Sequence, residues 1–193
     1  TANITAKALT ITAKAQTVTY GTAITQGTGQ VTVSGLVSGD SLTAVTLTQS
    51  TTNVTTSGKI TPSAATIKKG STDVTSNYTI RYATGTLTIN KKSLTPNVTA
   101  SNKTYDGNAS ATCSVTLSGI VSGDTVTASS TGTFADKNVG TGKTVTCSSI
   151  TLSGTSAGNY SLSTTSKTTT ANITAKALTI TAKAQTVTYG TAI

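Results

Sequence analysis

Residues 1–24 read TANITAKALTITAKAQTVTYGTAI, and residues 170–193 repeat them without a mismatch. The two copies are offset by 169 residues (170 − 1). Such a long identity is an internal repeat, and internal repeats decide the architecture before any single element is assigned. We interpret the chain as one full period of a tandem array followed by the start of the next. The repeated stretch is predicted to close one domain and to open another.

The period divides again into two related halves, because three landmarks recur in the same order. The recurrences are 34–40 at 118–124, Tyr20 at Tyr105, and Asn77-Tyr78 at Asn159-Tyr160, with offsets of 84, 85 and 82 residues. Nearly constant offsets indicate two homologous domains of roughly 85 residues each.

The composition favours thin β-domains. Only 4% of residues are aromatic, 10% are charged and 35% are hydrophobic, and Thr and Val are abundant. β-Branched side chains suit a pleated, half-buried surface. The net charge of +9 comes without a basic helix or an aromatic stacking set, so no nucleic-acid partner is predicted. No run of about 20 apolar residues occurs, so no membrane span is predicted in this segment.

Apolar and polar residues alternate in eleven runs, which is the period of a strand with one buried face. The predicted strands are 8–13, 30–34, 42–48, 78–82, 86–90, 94–100, 112–117, 125–128, 144–152, 160–163 and 169–173. Turn signals rich in Gly, Asp and Asn separate them, and Ser57-Gly58 is one of these signals. The polar stretch 48–56 is predicted to be either an edge strand or a loop. Short strands separated by turns are typical of an all-β sandwich or barrel.

The domains are predicted to follow one another almost without linkers. The predicted order is the final strand of a preceding domain at 1–6, domains at 7–91 and 92–175, and the start of the next domain at 176–193. Only Lys91 and Lys92 separate the strands at the first junction, and Ala175 and Lys176 form the second. Neither junction has a flexible Gly/Ser linker. We therefore expect domains joined end to end as a stiff rod.

The landmarks resemble two known domain families. Residues 103–107, 117–124, 134–140 and 157–162 resemble the YDG domain of bacterial surface proteins, and residues 18–21, 76–82 and 85–89 are similar to the MBG domain of the YGX type. The resemblance implies tandem Ig-like β-sandwich modules of large secreted adhesins and haemagglutinin-like proteins. It therefore implies an extracellular location at the cell surface, and it implies no defined ligand.

No catalytic, cofactor-binding or metal-binding residue is predicted. The chain has no His, and its five acidic residues are all Asp. Acid–base catalysis usually needs His or paired carboxylates, whereas these Asp residues lie in turns, where their side chains cap backbone amides. An enzyme is therefore not predicted.

Cys113 and Cys147 each lie in an alternating run of the second half. Two cysteines in a secreted β-domain indicate a disulfide. The alternative is a pair of buried thiols that pack as small hydrophobic groups.

Ser41 and Thr125 occupy equivalent places in the two halves, each directly after an Asp and before an apolar residue. This pattern resembles an acceptor motif of bacterial O-glycosylation. The alternative is structural, with Asp40 or Asp124 ending a turn and the hydroxyl residue beginning a strand.

We expect the chain to be a segment of the stalk or filament of a long, repetitive adhesin, whose partners are neighbouring repeats of the same chain. Two alternatives stay open. One is a module that binds glycans weakly and gains avidity from repetition. The other is a subunit that assembles with other copies into an extracellular filament.

Overall fold

The computed structural model describes residues 2–192. The prediction of an all-β chain is confirmed, because these residues form strands and short 3₁₀ turns but no α-helix. No helix in this range is long and apolar enough to cross a membrane. The strands of the first half are β1 (Lys7–Ala13), β2 (Gln16–Thr19), β3 (Val31–Ser34), β4 (Asp40–Gln49), β5 (Thr55–Lys69), β6 (Thr72–Asp73), β7 (Tyr78–Ala83) and β8 (Gly85–Asn90). Those of the second half are β9 (Lys92–Ala100), β10 (Lys103–Thr104), β11 (Ser110–Ala111), β12 (Cys113–Ser118), β13 (Thr127–Phe134), β14 (Gly140–Ser153), β15 (Tyr160–Leu162) and β16 (Lys167–Thr174).

The strand order of the first half recurs in the second. The first half has sheets β3-β1-β7 and β2-β8-β5-β4, with β6 paired to β5. The second half has sheets β12-β9-β15 and β10-β16-β14-β13-β11. In both halves the first strand pairs in parallel with the strand that follows the last 3₁₀ turn, as β1 does with β7 and β9 with β15. The topology therefore repeats together with the sequence landmarks.

Close contacts between Cα atoms divide the described chain into two compact units. Unit 1 comprises the residues up to Pro96 together with Leu117–Ala128 and Leu152–Ser163. Unit 2 comprises Asn97–Thr116, Ser129–Thr151 and the residues from Thr164 onward. The two units thus do not coincide with the domains predicted at 7–91 and 92–175, because two stretches of the second half group with the first.

Unit 1 has a core to which both sheets of the first half contribute. The buried side chains alternate along the strands, as the period of two requires. They include Leu9 and Ile11 of β1, Ile60 and Ile67 of β5, and Leu87 and Ile89 of β8. A smaller cluster in the same unit consists of Leu94, Val126 and Tyr160.

Unit 2 has a smaller core. Its buried side chains are Phe134, Val145, Cys147, Ala171 and Ile173. Only five side chains form this buried cluster, against twelve in the main core of unit 1, so less apolar area leaves water. A disulfide therefore supplies a larger share of the stability of unit 2 than it would of unit 1.

Within the stretch 48–56, residues 50–54 form a loop between β4 and β5, which was one of the two predicted alternatives. The prediction of a turn at Ser57-Gly58 was wrong. Strand β5 runs through this turn signal for 15 residues and pairs with both β4 and β8. Gly58 is buried, and a Cβ there would lie 2.9 Å from Thr55 Cγ2 and 3.2 Å from Leu87 Cβ, so a larger residue does not fit. The polar residues of β5 lie on its outer face, and a small residue faces the core where bulk does not fit.

The repeated 24-residue stretch folds differently in its two copies. Ile173 in β16 is 1% exposed, whereas its counterpart Ile4 is fully exposed and residues 2–6 form no strand. Conversely, Leu9 in β1 is 1% exposed, whereas its counterpart Leu178 is 83% exposed and residues 176–192 form no strand.

Each part of the repeat therefore forms a strand only where this chain supplies the strands that pair with it. The other copy of the stretch lies in β16, which pairs with β10 and β14. That residues 1–6 close a preceding domain stays a prediction. Thr1 and Ile193, the outermost residues of the predicted segments 1–6 and 176–193, lie outside the described residues.

Candidate functional site

A tyrosine ties a turn to a strand in the first half. Val37 to Asp40 form a turn closed by the Asp40 N–H donating to the Val37 carbonyl (3.1 Å), with Gly39 at φ +89°. This left-handed conformation at the third turn position favours glycine. Tyr78, at the start of β7, donates from its hydroxyl to Asp40 Oδ2 (2.6 Å) and accepts the Val37 N–H (3.0 Å). We call Val37, Asp40 and Tyr78 the first Asp–Tyr lock.

The second half builds the same device from the equivalent residues. The Tyr160 hydroxyl accepts the Val121 N–H (3.0 Å) and donates to the Asp124 carboxylate. Gly123 has φ +90° and again allows the turn. We call Val121, Asp124 and Tyr160 the second Asp–Tyr lock. The recurring sequence landmarks are thus the two ends of one hydrogen-bonded device.

The second lock also receives a side chain from the first half. Tyr20 donates from its hydroxyl to Asp124 Oδ1 (3.2 Å), and its ring meets that of Tyr160 edge to face at 5.3 Å. Ser156 Oγ donates to the same Asp124 oxygen (3.1 Å). Edge-to-face ring pairs are stabilising beyond the area that they bury. All of these residues belong to unit 1.

Two further contacts accompany Tyr20. Gly21 has φ +82°, and a Cβ at this position would lie 2.7 Å from Val121 Cγ2. Any larger residue at position 21 would therefore clash with the valine. Asn159 donates from Nδ2 to Asn53 Oδ1 (3.1 Å) and accepts the Val54 N–H at Oδ1 (2.9 Å).

We define the junction contact by its residues from the two halves. They are Tyr20, Gly21, Asn53 and Val54 from the first half, and Val121, Asp124, Asn159 and Tyr160 from the second. All eight residues lie in unit 1.

The predicted junction residues connect the halves but do not supply these contacts. Lys91 is the single residue between β8 and β9 and is exposed, while the half-buried Lys92 pairs with Tyr160 in the β9–β15 ladder. Ala175 and Lys176 are exposed after β16. The sequence did not predict the junction contact. The available signal was that Tyr20-Gly21 and Asn159-Tyr160 are recurring landmarks.

The motif at 103–107 folds around one lysine. Lys103 Nζ pairs with Asp106 (2.8 Å) and donates to the Asn108 carbonyl (2.9 Å) and to the Ser110 carbonyl (3.0 Å). The ammonium also lies 5.8 Å from the centre of the Phe134 ring, within the range of a cation–π interaction. The lysine therefore holds a loop against the core of unit 2.

A second lysine pairs with an acid in the same unit. Lys143 Nζ contacts Asp136, which also accepts the Asn138 N–H at Oδ1 (2.8 Å). The hydrogen bond from Lys143 is the main reason that the pKa of Asp136 lies below its ordinary value. Within residues 2–192, no three Asp or Cys side chains form a group that could hold a metal ion.

The structure joins Cys113 of β12 and Cys147 of β14 in a disulfide, with the two Cα atoms 6.1 Å apart. Cys147 is fully buried among the core residues of unit 2. The bond closes a loop between residues 34 positions apart.

Ser41 and Thr125, the predicted glycosylation acceptors, are both exposed. The Asp before each of them is engaged by a tyrosine of its lock. The recurrence of Asp at these places therefore has a structural reason, and glycosylation stays a prediction.

Comparison with family models now explains the landmarks. The MBG domain (YGX type) matches residues 9–88, and the YDG domain matches residues 90–171. The chain carries an MBG domain followed by a YDG domain. This confirms the resemblance noted from the sequence, and such domains occur in surface-associated or adhesin-like proteins. No curated protein and no solved structure matches the chain.

The carboxylate of the second lock is the most heavily hydrogen-bonded acid of the MBG–YDG pair. Hydrogen bonds from Tyr160, above all, and from Tyr20 and Ser156 hold the pKa of Asp124 below its ordinary value, against the opposing effect of desolvation. Desolvation and the same acid raise the pKa of Tyr20 and of Tyr160. The lock therefore favours an ionised Asp124 between neutral tyrosines.

We expect acid to weaken this lock. Because the folded pKa of Asp124 is lowered, its contribution to stability is present above the unfolded pKa of about 3.9 and is lost as pH falls through the folded pKa. The free energy of unfolding should therefore fall as the pH is lowered from 5 towards about 2. Tyr160→Phe should reduce this fall, because the principal donor is gone.

Denaturant unfolding across this pH range measures the effect, with Tyr105→Phe as the control because Tyr105 belongs to neither lock. If Tyr160→Phe and the wild-type chain lose the same free energy over the same range, the carboxylate is not stabilised by the lock.

Proposed function

We propose that this chain is a structural segment of the stalk or filament of a long, repetitive, secreted adhesin at the bacterial cell surface. In this proposal its Ig-like β-sandwich domains, joined end to end, project a distal adhesive tip and bear load. The partners are neighbouring repeats of the same chain. No catalytic role is assigned to it.

The junction contact is the observation that carries this proposal. Lys91 alone links β8 to β9, so the MBG and YDG domains have almost no linker in which to flex. Tyr20 reaches Asp124, and Asn53 reaches Asn159, across 104 and 106 residues of chain. Side-chain contacts at such a short connection favour a stiff array over globules on tethers.

Features inside the domains also suit a chain under tension. Each lock fastens the start of β7 or β15 to a distant turn, and the disulfide ties β12 to β14. Repeat arrays gain stability from each unit and from its neighbours. Many thin domains can therefore share a load that a single thin core would not bear.

Pulling on a tandem array from its two ends tests the proposal. We expect discrete unfolding peaks for successive domains. The disulfide should also keep the loop that it closes from extending under force. Reduction should therefore lengthen the extension of each YDG domain by about 110–120 Å, at roughly 3.3–3.6 Å per residue over 34 residues. A smooth extension without peaks would mean that the domains do not resist force, and the stalk proposal would fail.

A glycan-binding module is the second candidate, and one observation favours it. An open cleft of about 440 Å³ lies within unit 1, lined by Tyr20, Thr22, Gln49, Thr52 and their neighbours. Tyrosine rings and amide or hydroxyl groups are suited to sugars. Binding of an array to immobilised glycans that disappears in Gln49→Ala/Thr52→Ala would favour this reading over a purely mechanical role.

A further inference from the structure

Three exposed apolar side chains occupy places equivalent to the junction contact. Val37 is 43% exposed, Tyr105 is 36% exposed and Val139 is 53% exposed. Their counterparts in the junction contact, Val121, Tyr20 and Val54, are all half-buried. Each of these three residues is therefore exposed, although the equivalent residue of the other domain is half-buried in the junction contact.

Tyr105 stands at the end of the YDG domain as Tyr20 stands at the end of the MBG domain. Tyr20 follows β2, which pairs in parallel with β8, and its N–H donates to the Asn90 carbonyl (2.9 Å). Tyr105 follows β10, which pairs in parallel with β16, and its N–H donates to the Thr174 carbonyl (2.8 Å). Both tyrosines are therefore held beside the last residue of a final strand, where the chain leaves the domain.

An Asn-Val pair accompanies each tyrosine. Asn53 and Val54 directly precede β5, and Asn138 and Val139 directly precede β14, the equivalent strand of the second sheet. The offset is 85 residues in both positions (138 − 53), as it is between the two tyrosines (105 − 20). Asn138 and Val139 are both exposed.

The MBG domain carries side chains that can pair with these residues by hydrogen bonds. Asp40 accepts a hydrogen bond only at Oδ2 within the described residues, from Tyr78, whereas its equivalent Asp124 also binds Tyr20 and Ser156. Asn77 directly precedes Tyr78 of the first lock, as Asn159 directly precedes Tyr160 of the second. Asn77 is exposed.

We propose that the YDG domain of one copy of this chain docks onto the MBG domain of a second copy through these residues, in the way that the MBG domain contacts the YDG domain within one copy. The pairs are Tyr105 hydroxyl to Asp40 Oδ1, Val139 N–H to Asn77 Oδ1, and Asn77 Nδ2 to Asn138 Oδ1. The second copy is a further 169-residue period of the same array.

One departure between the domains fits this docking. The YDG domain has Asp106 where the MBG domain has Gly21, and its left-handed glycine is the next residue, Gly107, at φ +83°. Nothing lies within 4 Å of the position that a Cβ on Gly107 would take. The corresponding space beside Gly21 is filled by Val121 of the YDG domain. The open space beside Gly107 therefore leaves room for Val37 of the second copy.

The inference goes beyond the proposed stalk. It assigns a second specific contact, so that every junction of an array is held by side chains and not by the chain connection alone. It holds equally if the array binds glycans, and its failure would leave the contact observed between Tyr20 and Asp124 untouched.

Thiol crosslinking in a chain of two consecutive periods tests the inference. One variant carries Asn138→Cys in the first period and Asn77→Cys in the second, which the docking brings together. The matched control carries the same two substitutions with the periods exchanged, so that the cysteines share no junction. The native cysteines are in a disulfide and do not react with a short bifunctional maleimide.

A third variant, Asn53→Cys/Asn159→Cys within one period, calibrates the reaction, because these two side chains are in contact. We expect the facing pair to crosslink as completely as this calibration pair, and the exchanged pair to stay at the level of single-cysteine chains. If the calibration pair reacts while the facing pair does no better than the exchanged pair, the docking is wrong.

Discussion

Replacing Leu9 by alanine is expected to lower the free energy of unfolding by about 2–5 kcal/mol. Leu9 lies in β1 at the centre of its sheet, and its side chain is buried in the core of unit 1. Truncation removes buried methyl groups and leaves a cavity that the flanking strands β3 and β7 cannot close. Denaturant unfolding of the chain measures the loss.

Leu178→Ala is the matched control, because Leu178 is the same residue in the second copy of the repeat. Its side chain is exposed, so we expect the free energy of unfolding to change by less than about 0.5 kcal/mol. Equal losses in the two variants would show that the second copy is folded as well, and that our account of the repeat is wrong.

Removing the disulfide is expected to lower the stability of unit 2 by about 3–4 kcal/mol. In the chain-entropy model this is the effect of releasing a loop of 34 residues. The small core of unit 2 offers little to offset it. Reducing the wild-type chain gives the cleanest measurement, since both thiols then keep their volume in the core.

Cys113→Ala/Cys147→Ala is the control for the reductant. It should show the lower stability without reducing agent and should not change further when the agent is added. A wild-type chain whose unfolding midpoint is the same before and after complete reduction would contradict this account.

Much of the fold was predictable because its side-chain period is visible in the sequence. The alternation in Ala8 to Ala13 located β1, and the recurrence of Asp40 at Asp124 indicated two related halves. Strand β5 was missed because its outer face is polar and a glycine, Gly58, occupies a core position. Turn signals and tight core packing both select glycine, so the residue type alone did not distinguish them.

The junction contact was not predictable for a different reason. A tyrosine at the end of a strand most often buries its ring in its own domain, so the sequence does not single out Tyr20. Its partner Asp124 is 104 residues away in the chain, and no local pattern connects them. The disulfide was easier to predict, because the chain has two cysteines and they allow a single pairing.

The maximum dimension of chains with one, two and three periods, measured by small-angle X-ray scattering, tests the central claim most directly. If junction contacts hold successive domains as a stiff stalk, the maximum dimension should grow in proportion to the number of periods. Growth nearer to the square root of that number, as for flexibly tethered domains, would contradict the stalk.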